Sequence, residues 1–398
     1  MLAINVMTFR TEGSVEVKPY AKDKEQVIKG MKKNQDTHQM LGDQPILLRL
    51  ELLNEWCSEE DIEVLMKYAQ TTERGTIVRD IIIPSDMHLH HLHYVIQRLF
   101  GWQNSHLRSF ELDEKDNLRL TGNRVREWSE LAGILYRGVP IDEHDKFWDD
   151  EDYTGGNFKI WLKKKYTGPY EYGGYTEDYD VAREGIEILM KNCPMVEVRE
   201  SFYDFYERTK NLPQSKKGSV KTLRKAPIMD LTLKELTDSI SFDSDLFELM
   251  EKLEVRQILG TSGSSLAAYK DLVNGEVNIH SGVLPNPVTN KLVYKYDFGD
   301  NWVVEITRLS DMNTFVRQGV VDQEWMDEAV GIVEEKYKPV CVHKMGGYVM
   351  DDVGGMRGYT DFLRGVYLHG DKEEKEALRE WAGSMGWSSK KVALKNML

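Results

Sequence analysis

Two periodicities alternate along the chain. "PILLRLELL" (Pro45–Leu53) and "TIVRDIIIP" (Thr76–Pro84) are short runs dominated by apolar residues, which predicts two buried strands, the second stopped by Pro84. Between them "CSEEDIEVLMKYAQ" (Cys57–Gln70) has apolar positions at helical spacing and predicts a short amphipathic helix. In "MHLHHLHYVIQRLF" (Met87–Phe100), Leu89, Leu92, Ile96, Leu99 and Phe100 form one apolar face, with Ser85 or Asp86 to cap the helix and Gly101 to end it. "SHLRSFEL" (Ser105–Leu112) predicts a third strand. Alternation returns in "LVYKYDFGDNWVVEI" (Leu292–Ile306), where Tyr294 and Tyr296 answer Trp302, Val304 and Ile306 across a break rich in turn residues. That pattern predicts a hairpin, with Gly299 taking the positive backbone dihedral.

The rest of the chain has a different texture. Residues 1–44 suggest two short strands and a polar helix near Asp23–Lys33. From Thr121 to Pro285 come an acidic patch (Asp149–Asp152), a Tyr/Gly-rich stretch (Tyr153–Tyr179) and helical runs, among them "SDLFELMEKLEVRQIL" and a capping box from Thr232 to Glu235. Helices are expected near Asp322–Lys336, Tyr359–Leu368 and Lys372–Ala382. The fold class this implies is α+β, a mostly antiparallel sheet with packed helices, interrupted by a largely helical insertion. The first and last thirds each have too few strands to cover a core, so they should complete one sheet.

Composition narrows the classes of function. A chain of 398 residues, 41% hydrophobic and 30% charged, is long enough for two or three folded units. Its formal charge of −14 opposes sequence-independent binding to DNA over the whole surface, though not at a local basic site. Cys57, Cys193 and Cys341 are odd in number and lack a CxxC spacing, which argues against a disulfide framework and a zinc ribbon. The opening residues show no basic-then-apolar leader, and no run approaches the length of a membrane span, so a cytoplasmic protein is expected.

Several clusters carry chemistry. The helix Met87–Phe100 holds His88, His90, His91 and His93, but the pairs His88/His91 and His90/His93 point in different directions, and the wheel turns His90 off the apolar face. A packing or solvent-facing role is expected for them. In "YDFGDNW", Asp297 and Asp300 are turn formers first and site residues second; a kinase magnesium loop is excluded because no Gly-rich loop, lysine strand or HRD loop precedes it. "VMDDVGGMRGY" (Val349–Tyr359) repeats the acid-glycine pattern, with Asp352 near a helix cap. If the loops meet, Asp297, Asp300 and Asp352 make an acidic pocket for a hard divalent cation, the one cofactor the pattern points to. "RTKNLPQSKKGSVKTLRKAPIM" (Arg208–Met229) carries Arg208, Lys210, Lys216, Lys217, Lys221, Arg224 and Lys225 without an acid, and its prolines and glycine predict a loop. It reads either as a solvated linker or as a strip that contacts a nucleic acid or other partner, with the nearby tyrosines as stacking faces.

Three stretches in order, "TIVRDIIIPSDMHLHHLHYVIQRLFGWQNSHLRSF", "YKYDFGDNWVVEI" and "DDVGGMRGYTDFL", resemble the plasmid pRiA4b ORF-3-like proteins, also labelled mobile-element passenger proteins. The resemblance spans Pro45–Leu112 and Lys291–Trp387 and matches at His93, Phe100, Gly101, Trp102, His106, Phe110, Asp297, Gly299, Asp300, Trp302, Asp352, Gly354, Gly355 and Tyr359. It implies a core in two parts, 45–120 and 285–398, with 1–44 as an extension and 121–284 as an insertion. This chain has Arg108 and Val304 where relatives often carry histidines, and Asp351 where they often carry Glu. The family has no established chemistry. What it implies is an accessory or binding protein of mobile elements or genome defence, engaging a protein or nucleic acid. The alternatives are a metal-dependent hydrolase or nucleotide-handling enzyme using His106, Asp297, Asp300 and Asp352 as catalytic or metal-binding residues, and a pure protein-protein adaptor.

Overall fold

The computed structural model describes residues 44–135, 153, 155–170, 191–239, 255–259, 287–390 and 392–398. The strands and polar helix expected before residue 44, the acidic patch Asp149–Asp152 and most of the helix expected at Ser244–Leu259 lie outside these residues.

The elements in chain order are β1 (Ile46–Leu52), α1 (Glu59–Val64), β2 (Ile77–Ile83), α2 (Leu89–Phe100), β3 (Arg108–Leu112), α3 (Glu114–Thr121), α4 (Val125–Leu135) and α5 (Phe158–Lys165). They continue with β4 (Met195–Arg199), α6 (Phe202–Thr209), β5 (Thr222–Pro227), α7 (Leu233–Ser239), β6 (Lys291–Tyr296), β7 (Trp302–Arg308), α8 (Gln323–Lys336), β8 (Val340–Met345), α9 (Gly355–Tyr367) and α10 (Lys372–Ser384). Six strands form one sheet in the order β3-β6-β7-β1-β2-β8, and every neighbouring pair is antiparallel. The fold is α+β, as the periodicities implied. No helix among the described residues is long and apolar enough to cross a membrane.

The period-two rule accounts for the burial of β2 on both faces. Ile77, Ile81 and Ile83 join the main core with Leu89, Leu92, Ile96 and Leu99 of α2. Ile82 faces the other way, into a smaller core with Leu47, Val340, Val342 and the α8 residues Met326, Ala329 and Val333. Asp80, on that second face, is fully buried and accepts from Arg49 Nε at 2.8 Å, with His343 Nδ1 2.7 Å from its other oxygen. A single buried carboxylate thus ties β2 to both of its neighbours.

Two local expectations need correction, one is narrowed, and one strand is new. Neither Ser85 nor Asp86 caps α2: the N-cap is His88, which makes no side-chain cap bond, while Gly101 ends the helix in the left-handed region as expected. Of the packing and solvent-facing roles expected for His90 it takes the first, because α5 packs across α2: His91 Nδ1 donates to the Lys165 carbonyl at 2.7 Å, and the His90 ring sits edge-on to Tyr94. Burial pushes His90 and His93 well below the usual histidine range and His91 to about 4, so all three are neutral at pH 7. The basic segment 208–229 is not a loop throughout, since Thr222–Pro227 is β5 and pairs with β4 in a separate two-stranded sheet. Finally, β8 was not anticipated. It is an edge strand of "VCVHKM" in which a histidine and a lysine interrupt the apolar run.

The sheet draws β1, β2 and β3 from the first part of the chain and interleaves them with β6, β7 and β8 from the last. Limited trypsin cleavage at the exposed Lys216 should therefore leave two fragments that co-elute on gel filtration and separate only in denaturant. Fragments that part in native buffer would contradict the interleaved sheet.

Candidate functional site

The register of β3 on β6 builds the site's first half. Arg108 pairs with Tyr296, and the Asp297 amide extends the ladder by donating to the Leu107 carbonyl at 2.9 Å. Residues just before β3 and just after β6 therefore lie side by side, and His106 Nε2 is 3.5 Å from Asp297 Oδ2. The other Asp297 oxygen, Oδ1, accepts the amides of Gly299 (3.0 Å) and Asp300 (3.2 Å), closing a side-chain turn. That turn fixes the carboxylate and leaves Oδ2 directed at His106.

The hairpin turn runs from Asp297 to Asn301, and its left-handed residues are those two, with φ of 53° and 54°. Gly299 does not take a positive dihedral, contrary to expectation. An added Cβ there meets only Asp297 Oδ1, at 3.2 Å. Asx side chains reach the left-handed region more readily than most because they bond locally, as Asp297 does here. Trp302 buries its ring against Trp102, at 5.6 Å between centroids, whereas Phe298 is exposed.

Asp300 brings in the second loop. Its Oδ2 accepts the amides of Val353 (3.0 Å) and Gly354 (2.8 Å), immediately before α9. The approach to α9 is therefore capped by Asp300 from the hairpin and not by Asp352. The loops touch closely enough that a Cβ on Gly355, whose φ is +71°, would come within 2.2 Å of the Asp300 carbonyl.

Asp351 completes the arrangement. It is buried, and its Oδ2 accepts from the Gln103 amide (2.9 Å) and the Tyr296 hydroxyl (3.2 Å) while Oδ1 accepts from the Asp352 amide (3.1 Å). Tyr296 in turn accepts from the Ser105 amide at 3.0 Å. Burial pushes the Asp351 carboxyl up, with the bonds from Gln103 and Tyr296 opposing the rise. Asp351 thus holds the His106 loop, β6 and Asp352 in one network. Sequence reasoning left it out of the candidate site; its signal was the doubled acid before two glycines.

Of the four candidate ligands, three converge. His106, Asp297 and Asp352 each offer a ligand atom, and the three atoms lie within 4.8 Å of one another. Asp300 is spent on amides of the neighbouring loop. His106 is half-buried, Asp297 is buried and Asp352 is exposed, and beneath them Tyr296, Trp102 and Phe100 stack in sequence. The helix histidines stand apart: His93 Nε2 donates to Asn104 Oδ1 at 2.6 Å, so its Nδ1 accepts from the Tyr294 hydroxyl at 2.7 Å. Arg108 places its guanidinium over the Tyr94 ring and Val304 is buried in the core, so neither replaces a histidine ligand.

Among the seven basic residues of 208–229, four are paired. Arg208 binds Glu200, Lys210 binds Glu207, Arg224 binds Glu235 and Lys225 binds Glu197. Lys216 and Lys221 are exposed, Lys217 is half-buried, and none of the three makes a side-chain ion pair among the described residues. Nearby, α6 presents Phe202, Tyr203 and Tyr206 to solvent, at 78%, 70% and 52% exposure.

Residues 62–180 match the family model for plasmid pRiA4b ORF-3-like protein. The matched span includes β2, α2 and β3 and the His106 loop; the hairpin and the "DDVGG" loop lie beyond it. A crystal structure of a protein of unknown function from Methanosarcina mazei Go1 aligns with 14% identity over 85% of this chain and 88% of that one, with a TM-score of 0.27. No curated protein matches the chain.

The division of labour between the acids is open to direct test. Asp300→Asn retains an acceptor and should cost well under 1 kcal/mol, roughly, while Asp300→Ala strands two amides and should cost about 1–3 kcal/mol. Gly299→Ala should be nearly neutral, and Gly355→Ala should be the most damaging of the four. Denaturant midpoints would rank them; a Gly299→Ala variant less stable than Gly355→Ala would contradict the loop geometry.

Proposed function

We propose that the core is a divalent-cation site of a metal-dependent hydrolase, with His106, Asp297 and Asp352 as the ligands. The observation that carries this reading is the meeting of one imidazole and two carboxylates from three separate chain segments. Two oxygens and one nitrogen suit a hard or borderline ion such as Mn²⁺ or Mg²⁺, and three protein ligands leave positions for water and substrate. A bound cation would supply Lewis-acid activation of that water. The chain's own contribution is to hold the ligands: the turn amides lock Asp297, Asp351 sets Asp352 through its backbone, and Asp300 clamps the two loops. Exposure of Asp352 leaves the site accessible from solvent.

Manganese should raise the melting temperature of the parent protein, by the equivalent of about 2.7 kcal/mol at a hundredfold excess over its dissociation constant. The rise should disappear in His106→Ala and in Asp297→Asn, and should survive in Asp300→Asn. A parent protein indifferent to manganese, or an Asp300→Asn variant that alone loses the effect, would reject the assignment.

A second reading, contact with single-stranded nucleic acid, is favoured by the exposed aromatics of α6 and by Lys216, Lys217 and Lys221, which make no ion pair among the described residues. Aromatic faces stack on bases and free ammonium groups neutralise phosphates. Retention on a single-stranded oligonucleotide should weaken with salt with a logarithmic slope near −2, roughly what three neutralised phosphates give. It should vanish when Lys216, Lys217 and Lys221 are all changed to Glu. Absence of retention at low salt would dispose of this reading and leave the segment as a linker.

A further inference from the structure

Apart from the main sheet, β4 and β5 form a sheet of only two strands. Two strands alone make a marginal sheet, and an edge strand offers its outward N–H and C=O groups to a further strand. β5 is such an edge. Thr222, Leu223, Arg224 and Lys225 are all exposed, and among the described residues the backbone of Leu223, Arg224 and Lys225 bonds nothing outside β4. The register shifts opposite Val198 and Arg199, which leaves Leu223 without a β4 partner and 64% exposed. Met195 of β4, at 63%, is a second exposed apolar side chain of this small sheet.

Charge limits what covers the edge. Lys221, just before β5, and Lys216 are exposed, Lys217 is half-buried, and none of the three makes an ion pair among the described residues. Within β5, Arg224 pairs with Glu235 and Lys225 with Glu197, both through contacts open to water. Such pairs contribute only about 0–1 kcal/mol, so an incoming carboxylate can share them. A second copy of β5 is a poor partner, because pairing two copies about a two-fold axis in this stretch sets Arg224 and Lys225 opposite like charges. A nucleic-acid strand fits the edge no better. Its phosphates accept hydrogen bonds and donate none, whereas an edge presents carbonyls as well as amides. A polypeptide answers both.

We propose that the open edge of β5 takes up, as a third strand, an extended acidic segment of a partner protein whose apolar side chains settle beside Leu223. Main-chain hydrogen bonds supply the affinity, and carboxylates near Lys221 and Lys225 supply the selection. This surface shares no residue with the cation site and does not depend on it. It shares its lysines with the nucleic-acid reading, so the experiment has to separate the two.

Selection on the immobilised full chain from a display library of random peptides, roughly ten residues long to match one strand, tests the proposal. The enriched peptides should be rich in Asp and Glu, with Val, Ile, Phe or Tyr among them. Bound peptide should slow hydrogen exchange of the β5 amides. Methylating alternate backbone nitrogens of an enriched peptide removes donors and should weaken binding about tenfold or more. Leu223→Asp and Lys221→Gln, both at exposed positions, should each weaken it about tenfold with the melting temperature unchanged. Enrichment of basic peptides, binding indifferent to the methylation, or full affinity in Leu223→Asp would each overturn the proposal. A chain that retains a single-stranded oligonucleotide but enriches no peptide would overturn it as well, and would leave the lysines to the nucleic acid.

Discussion

The antiparallel register of β3 on β6 is the constraint on which the rest depends. Setting Arg108 opposite Tyr296 closes one end of the sheet and brings the loop before β3 against the turn after β6. A slip of β3 by one residue would turn Phe110 from the core to the other face and pull His106 away from Asp297. The amides of the His106 loop are then satisfied by side chains from elsewhere: Gln103 by Asp351, Asn104 by Gln97 and Ser105 by Tyr296. Each of these bonds costs more to break than it contributes when made, because it leaves a part-buried donor without an acceptor. The loop is therefore held by the sheet and by the helix α2, and not by its own sequence.

Much of this was legible in the chain because period and breakers agreed. β1, β2, β3, β6 and β7 follow from short apolar or alternating runs bounded by Pro84, Gly101 and the "DFGDN" turn. β8 was not legible, since "VCVHKM" is short, carries a histidine and a lysine, and lies between long helices. The burial of His90 was hidden for a different reason. A helical wheel reports one face, whereas α5, over forty residues away in sequence, covers a second. At the turn, glycine was the obvious left-handed residue, but local carboxylate bonding let Asp297 and Asn301 take that role. The acids were recognisable as a set. What the sequence did not reveal was which of them would be spent on backbone amides, as Asp300 is, because that depends on a contact between residues more than fifty apart.

The two faces of β2 show how one strand can serve unlike purposes. Asp80 on one face is a structural charge, fully answered by Arg49 and His343. Arg79 on the other is answered by four backbone carbonyls and by the face of the Phe100 ring. Neighbouring residues of opposite charge, separated by the pleat, thus meet entirely different environments. The same economy appears in the hairpin turn, where Asp297 and Asp300 both bond amides but only Asp297 keeps an oxygen directed at His106.

The central claim is that three distant chain segments form one ligand set, and anomalous diffraction at the manganese edge tests it most directly. Crystals grown with Mn²⁺ should show one strong anomalous peak about 2.0–2.6 Å from the His106 ring and from one oxygen each of Asp297 and Asp352. A map with no peak at that position, or with manganese bound only by Asp300 or by the histidines of α2, would contradict the account.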